Sequence, residues 1–261
     1  MTRHRAAGLF AAAALAAARA MLADERAVYR AAGPDAVLFD QYDNDGYSLA
    51  VSPRGDGSLE LTVRVSGGPL ESRAPFPVSG RRDPAQALSP ERDAFVSALA
   101  GDAATQAEAV ERVLSGIASA VRYDDDRLRR QDPASVFASR RAHCVGFSEL
   151  AVDLLRRVGI SARTVQGILR MRPESDGYER RIGGVYHRWI EIYYPDRGFV
   201  FSDPSSSINA VDSRYVPFGR RAFARPRDLT VTAVEASGHL DFPVRRLPEA
   251  TLRVRPIGGS K

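Results

Sequence analysis

The sequence predicts an α+β fold, and three observations carry that reading. Phe147, Leu150, Ala151, Leu154, Leu155 and Val158 form an apolar stripe with helical period. Segments that alternate like strands follow it ("ARTVQGIL", "VYHRWIEIYY", "GFVFSD"), the last two joined by the tight turn "PDRG". Residues 36 to 80 add further short strands, so helices and antiparallel strands are grouped rather than alternated as βαβ units.

The elements follow in order. "MTRHRAAGLFAAAALAAARA" has a basic start (Arg3, Arg5), an Ala-rich apolar stretch and a small-x-small end at 18–20, the pattern of a cleaved export signal. The competing reading is an Ala-rich helix running on into "DERAVYRAAG", alanine being the best helix former. The apolar run is too short to serve as a membrane anchor. "YSLAVSP" and "LELTVRVS" alternate around the turn "RGDGS". "DNDG" at 43–46 fails as a calcium loop, because that register puts Gln41 first and Ser52 twelfth; it is read as a turn. "SPERDAFVSALAG" and "AEAVERVLSGIASAVRY" are helices, and "PASVFA" is a short one. The next helix runs from about 143 to 158, with Gly159 placed to end it in the left-handed conformation. "LTVTAVEA" and "ATLRVRP" are two further strands that either complete the sheet or form a tail.

One cysteine, Cys144, rules out an internal disulfide framework and a multi-cysteine zinc site. The net charge of +5 suggests an acidic partner, yet the arginines are interleaved with acids and form no basic-aromatic stripe. No nucleic-acid partner is therefore expected, and no cofactor or metal is implied.

Cys144 sits where a helix begins. There the positive end of the macrodipole and the open amides favour a thiolate, and the same amides can face a substrate oxyanion. A thiol nucleophile needs a base. Of His4, His143, His187 and His239, the first lies in the leader, His143 is the helical neighbour of Cys144 and points elsewhere, and His239 is in a loop. His187 lies in a strand, on the alternating face shared by Val185 and Trp189. Asp203 ends the next strand. A three- or five-residue loop at "PDRG" pairs Tyr194 with Gly198 or Tyr193 with Phe199, and either puts Asp203 opposite Trp189 and diagonal to His187, about 7–8 Å away at the backbone. An even turn without a bulge would send Asp203 to the other face. The competing reading of Asp203 is an Asp-Pro turn starter.

"RRAHCVGFSELAVDLLRRVGISARTVQGI" followed by "YHRWIEIYYPDRGFVFSDPSS" resembles the transglutaminase-like superfamily, and the likeness extends from roughly 105 to 215. The resemblance implies a papain-like core in which a nucleophile-bearing helix packs on an antiparallel sheet, preceded by a small β-rich region. It implies Cys144 as nucleophile, His187 as general base and acid, and Asp203 as the group that orients the imidazole. The residue before the cysteine is often small in that family and is His143 here. Tyr123, Gln131 and Gln166 are candidate oxyanion donors with nothing to separate them, and Trp189 is expected to pack beside the triad.

The resulting division is a signal over 1–20, an N-terminal helix and β-rich region over 21–85, a catalytic domain over 86–225, and C-terminal strands or tail over 226–261. The expected activity is thiol-dependent acyl transfer on a peptide or protein substrate through a thioester, with hydrolysis favoured. The alternatives are a protein-glutamine transglutaminase and a non-catalytic binding module on the same fold. An arginine-rich loop at 170–183 either covers the site or is simply solvated. The expected setting is periplasmic or secreted if the leader is used and cytoplasmic otherwise, with no stable membrane anchor.

Overall fold

A computed structural model describes residues 24–66, 70–77, 88–126, 128–170, 185–220, 226–237 and 251–253. The leader, most of the 170–183 loop and His239 lie outside the described residues. The chain divides into two compact units. The first takes in residues 68–165 and 188–211, the second 22–67, 166–187 and 212–261.

The first unit holds the helices: α1 (Pro90–Ala100), α2 (Gln106–Ala120), α3 (Pro133–Ser139) and α4 (Cys144–Arg157). Two of the helix starts are capped by side chains. Thr105 caps α2 by accepting from Glu108 N at 3.2 Å, and Asp132 caps α3 by accepting from Ser135 N at 3.0 Å. The expected end of α4 is observed. Val158 closes it, Gly159 takes φ +81°, Gly159 N donates to Arg156 O at 3.1 Å and Ile160 N to Leu155 O at 3.0 Å. The α4 stripe of Phe147, Leu150, Ala151, Leu154 and Leu155 packs with Val113, Leu114 and Ile117 of α2 and with the strand residues Ile190, Ile192 and Val200. Each such large side chain contributes roughly 1.5–3 kcal/mol on burial.

The last turn of α4 is also held electrostatically. The Arg157 side chain is fully buried; its Nη1 bonds Asp93 Oδ1 at 2.7 Å and its Nε bonds Asp153 Oδ2 at 2.9 Å. Arg92 reaches the same Asp153 oxygen at 2.8 Å, so α1 and α4 share one ion-pair network.

Two minimal strands, β5 (Arg122–Tyr123) and β6 (Arg141–Ala142), pair in parallel, with Tyr123 opposite Ala142. They bring the chain after α2 alongside the two residues that lead into α4. The strands β7 (Ala162–Leu169), β8 (Val185–Tyr194), β9 (Gly198–Ser202) and β10 (Tyr215–Pro217) hydrogen-bond in the order β10-β7-β8-β9, and β7 and β8 each begin in one unit and end in the other.

The second unit is built on a six-stranded sheet. Its members are β1 (Glu25–Ala32), β2 (Tyr42–Asn44), β3 (Tyr47–Pro53), β4 (Leu59–Val65), β11 (Thr230–Ser237) and β12 (Thr251–Arg253), in the order β12-β11-β1-β4-β3-β2. This corrects the expected N-terminal helix. "ERAVYRAA" is an extended strand bonded on both sides, to β4 and to β11, and it buries Ala27, Tyr29 and Ala31 against Leu49, Leu61 and Val63. Two ladders outweigh alanine's intrinsic helix preference. The two strands expected near the C-terminus complete this sheet, β11 on β1 and β12 on β11.

Glu25 is 3% exposed in that sheet. Its Oε2 accepts from Ser213 N at 2.9 Å, while among the described residues its Oε1 has no hydrogen-bond partner. Burial, the largest effect, raises its pKa above the ordinary value against the opposing Ser213 bond. The native state thus holds the Glu25 proton to higher pH than the unfolded chain does. Its contribution to stability is present below the ordinary glutamate pKa and is lost as pH rises through the native one. Glu25→Gln is therefore expected to match wild type near pH 4 and to melt at higher temperature above neutrality. Parallel melting-temperature curves across pH would contradict this.

Candidate active site

The site builds outward from the start of α4. His143 is extended (φ −98°, ψ −174°) and forms the N-cap, and its carbonyl accepts the first helical bond from Phe147 N at 3.1 Å. Cys144 is therefore the first helical residue, and it is buried, at 9% exposure. The His143 ring is turned back on the helix. Its Nδ1 accepts from Val145 N at 3.2 Å, so that amide is already engaged and is not one of those facing a substrate. This amends the expectation that the first-turn amides as a group are open to an oxyanion.

The β8–β9 turn has the length that the sequence reading required. Tyr194 pairs with Gly198, Tyr193 with Phe199, and the ladder runs to Ile190 opposite Ser202. Asp203 follows the last pair directly, where the chain leaves the ladder and Asp203 N donates to Ser207 O at 2.8 Å. His187, 7% exposed, lies two residues before Trp189 in the same strand, so their side chains leave β8 on one face. Asp203 is 1% exposed, and its Oδ1 accepts from Ser205 N at 2.9 Å and from Ser205 Oγ at 2.6 Å. The turn-starting and orienting readings of Asp203 are thus compatible: one oxygen closes the turn.

Ser148 supplies a tie that the sequence reading missed. It is fully buried, one turn below Cys144 on the same helical face, and its Oγ donates to Arg188 O at 3.0 Å. Arg188 follows His187 directly, and its Nη1 also reaches Glu149 Oε1 at 2.6 Å. Within the first unit, α4 and the part of β8 from Arg188 onward are therefore pinned together. A buried serine interrupting the apolar stripe at i+4 from the cysteine was the available signal.

The four auxiliary candidates separate. Tyr123 is half exposed, stacks on Phe147 with ring centroids 6.2 Å apart, and its phenol is held well above the ordinary tyrosine pKa. Burial is the main cause, followed by the negative charges of Cys144, Asp125 and Asp203 and a hydrogen bond with Asp125. Tyr123, Cys144 and Asp203 therefore share one electrostatic neighbourhood. Gln131 serves the backbone: Oε1 accepts from His143 N and Nε2 donates to Arg129 O, both at 3.1 Å. Gln166 accepts from the Tyr186 hydroxyl, and its carbonyl accepts from Phe218 N at 2.8 Å. Trp189 is fully buried and edge-on to Phe201, with ring centroids 5.8 Å apart.

Among the described residues, no cluster of three or more His, Cys, Asp or Glu could hold a metal ion, and no helix is long and apolar enough to cross a membrane.

Residues 93–204, which enclose Cys144, His187 and Asp203, match the family model of the transglutaminase-like superfamily. An 80-residue stretch is 31% identical to the uncharacterized protein YebA of Bacillus subtilis; it makes up 28% of this chain and 11% of that protein. Among solved structures, a cysteine protease candidate from Cytophaga hutchinsonii is similar over 88% of this chain and 94% of its own, at 13% identity and a TM-score of 0.47. The periplasmic domain of TgpA from Pseudomonas aeruginosa is similar over 74% of this chain and 90% of its own, at 17% identity and a TM-score of 0.36. Over residues 93–204, this α+β chain is similar to the transglutaminase-like superfamily.

Proposed function

We propose that the protein is a thiol-dependent acyl transferase of peptide or amide substrates that passes the acyl group to water. Cys144 is the nucleophile, His187 the general base and acid, and Asp203 the orienting carboxylate. The Cys144 thiolate attacks the carbonyl, His187 protonates the departing amine, and the resulting thioester is hydrolysed by a water that His187 deprotonates. Asp203 Oδ1 is taken up by Ser205, so Oδ2 is the oxygen assigned to the imidazole N–H. The observation that carries this reading is the Ser148–Arg188 bond, which fixes the Cys144 helix to the part of β8 from Arg188 onward.

Tyr123 is the auxiliary group assigned to the developing oxyanion. It is the candidate whose charge environment includes both Cys144 and Asp203, and a phenol held protonated is a donor. The export signal read over residues 1–20 favours a periplasmic or secreted setting.

Incubating wild type and Cys144→Ala with a mixed peptide library and a labelled primary amine, followed by mass spectrometry, tests the proposal. Cleaved or deamidated products that need Cys144 are expected. Cys144-dependent amine incorporation in their place would make the protein a transglutaminase, and no Cys144-dependent product at all would leave a binding module.

A further inference from the structure

We propose that His143 is a positioning residue for Cys144: its neutral imidazole, protonated on Nε2, caps α4 through Nδ1 and fixes the backbone from which the thiol is presented. The proposal rests on the reading of Cys144 as nucleophile and gives a role to the neighbouring histidine, which the triad does not use.

Four contacts carry it. Nδ1 accepts the Val145 N–H at 3.2 Å, and an accepting nitrogen holds no proton, which assigns the neutral ring and its tautomer. The His143 N–H is itself gripped by Gln131 Oε1 at 3.1 Å, and Gln131 is anchored in turn on Arg129 O. The amides of the residues on either side of Cys144 are thus both tied to side chains. Phe147 N on His143 O completes the turn. Gly146 makes the arrangement possible. A Cβ there would lie 2.4 Å from Gln131 Oε1 and 2.8 Å from both Ala142 Cβ and Val136 Cγ2. The missing side chain of Gly146 is therefore the space that Gln131 occupies in order to hold His143.

The consequence is kinetic. A first turn that frays no longer keeps Cys144 at the positive end of the helix, where a thiolate is stabilised. Asparagine caps helices as well as any residue, through a short acceptor that cannot ionise near neutrality, whereas alanine cannot cap at all. The imidazole is thus replaceable by a cap and not by mere bulk.

Second-order rates of Cys144 alkylation by iodoacetamide at neutral pH, with far-UV circular dichroism on each variant, test the proposal. His143→Ala is expected to slow alkylation about 5-fold with the fold retained, and His143→Asn to return it to within about 2-fold of wild type. A wild-type rate in His143→Ala would overturn the proposal, as would a His143→Asn rate no faster than that of a folded His143→Ala. Should the alanine variant fail to fold, a His143→Asn rate close to wild type supports the cap and a 5-fold slower one overturns it. His187→Ala separates the two readings. If alkylation ignores His187→Ala but falls in His143→Ala, the triad fails and the cap stands. If it falls in His187→Ala and ignores His143→Ala, the triad stands and the cap fails.

Discussion

Replacing His187 with alanine is expected to lower product formation by about 10⁴-fold or more, close to the loss in Cys144→Ala, with little change in melting temperature. The two losses should resemble each other because nucleophile and base act as one unit: a thiol without a base and a base without a thiol each forfeit the same step. The double variant should therefore be scarcely worse than either single one. The fold tolerates both changes in this account. The load on the α4–β8 seam is carried by Ser148 with the Arg188 carbonyl and by Arg188 with Glu149, none of which is altered. A His187→Ala variant that kept a tenth of the activity in the mass-spectrometric assay would show that the imidazole is not the base.

Arg157→Met is expected to be the most damaging single change to stability, by about 3–5 kcal/mol in chemical denaturation. The guanidinium is fully buried between Asp93 and Asp153, and Arg92 shares Asp153. Removing it leaves two carboxylates facing a site built for a cation, with Asp153 13% exposed. The wild-type pair need not be worth that much; the cost comes from the charges left without their partner. Because Arg157 lies at the opposite end of α4 from Cys144, the folded fraction of the variant should keep its thiol reactivity. A destabilisation below about 1 kcal/mol would mean that the carboxylates are relieved by water or by Arg92.

The parts legible in the sequence were those set by periodicity and by turn length. The apolar period and Gly159 mark α4 and its end, and the odd-length loop expected at "PDRG" matches the observed pairing of Tyr194 with Gly198 and Tyr193 with Phe199. The helix expected after the leader became β1, because the strand's stability comes from β4 and β11, which join it from distant parts of the chain, β11 about 200 residues on. His143 was passed over for a comparable reason. As a neighbour of Cys144 it cannot share its helical face, but as a cap it lies outside the helix and obeys a different geometry. Gln131 grips it from 12 residues upstream through one side-chain bond, which leaves no periodic trace. Of the auxiliary candidates, the sequence offered no way to separate Tyr123 from Gln131. The β5–β6 pairing that sets Tyr123 opposite Ala142 is only two residues long.

Activation of the Cys144 thiol by His187 is read from the thiol's own reactivity. The measurement is the rate of Cys144 alkylation at neutral pH in wild type, His187→Ala and Asp203→Asn, set against a free cysteine peptide. The expected result is a wild-type rate at least about 10-fold above the peptide, a fall toward the peptide rate in His187→Ala, and an intermediate rate in Asp203→Asn. A wild-type thiol that labels no faster than the peptide, at a rate that His187→Ala does not change, would contradict it.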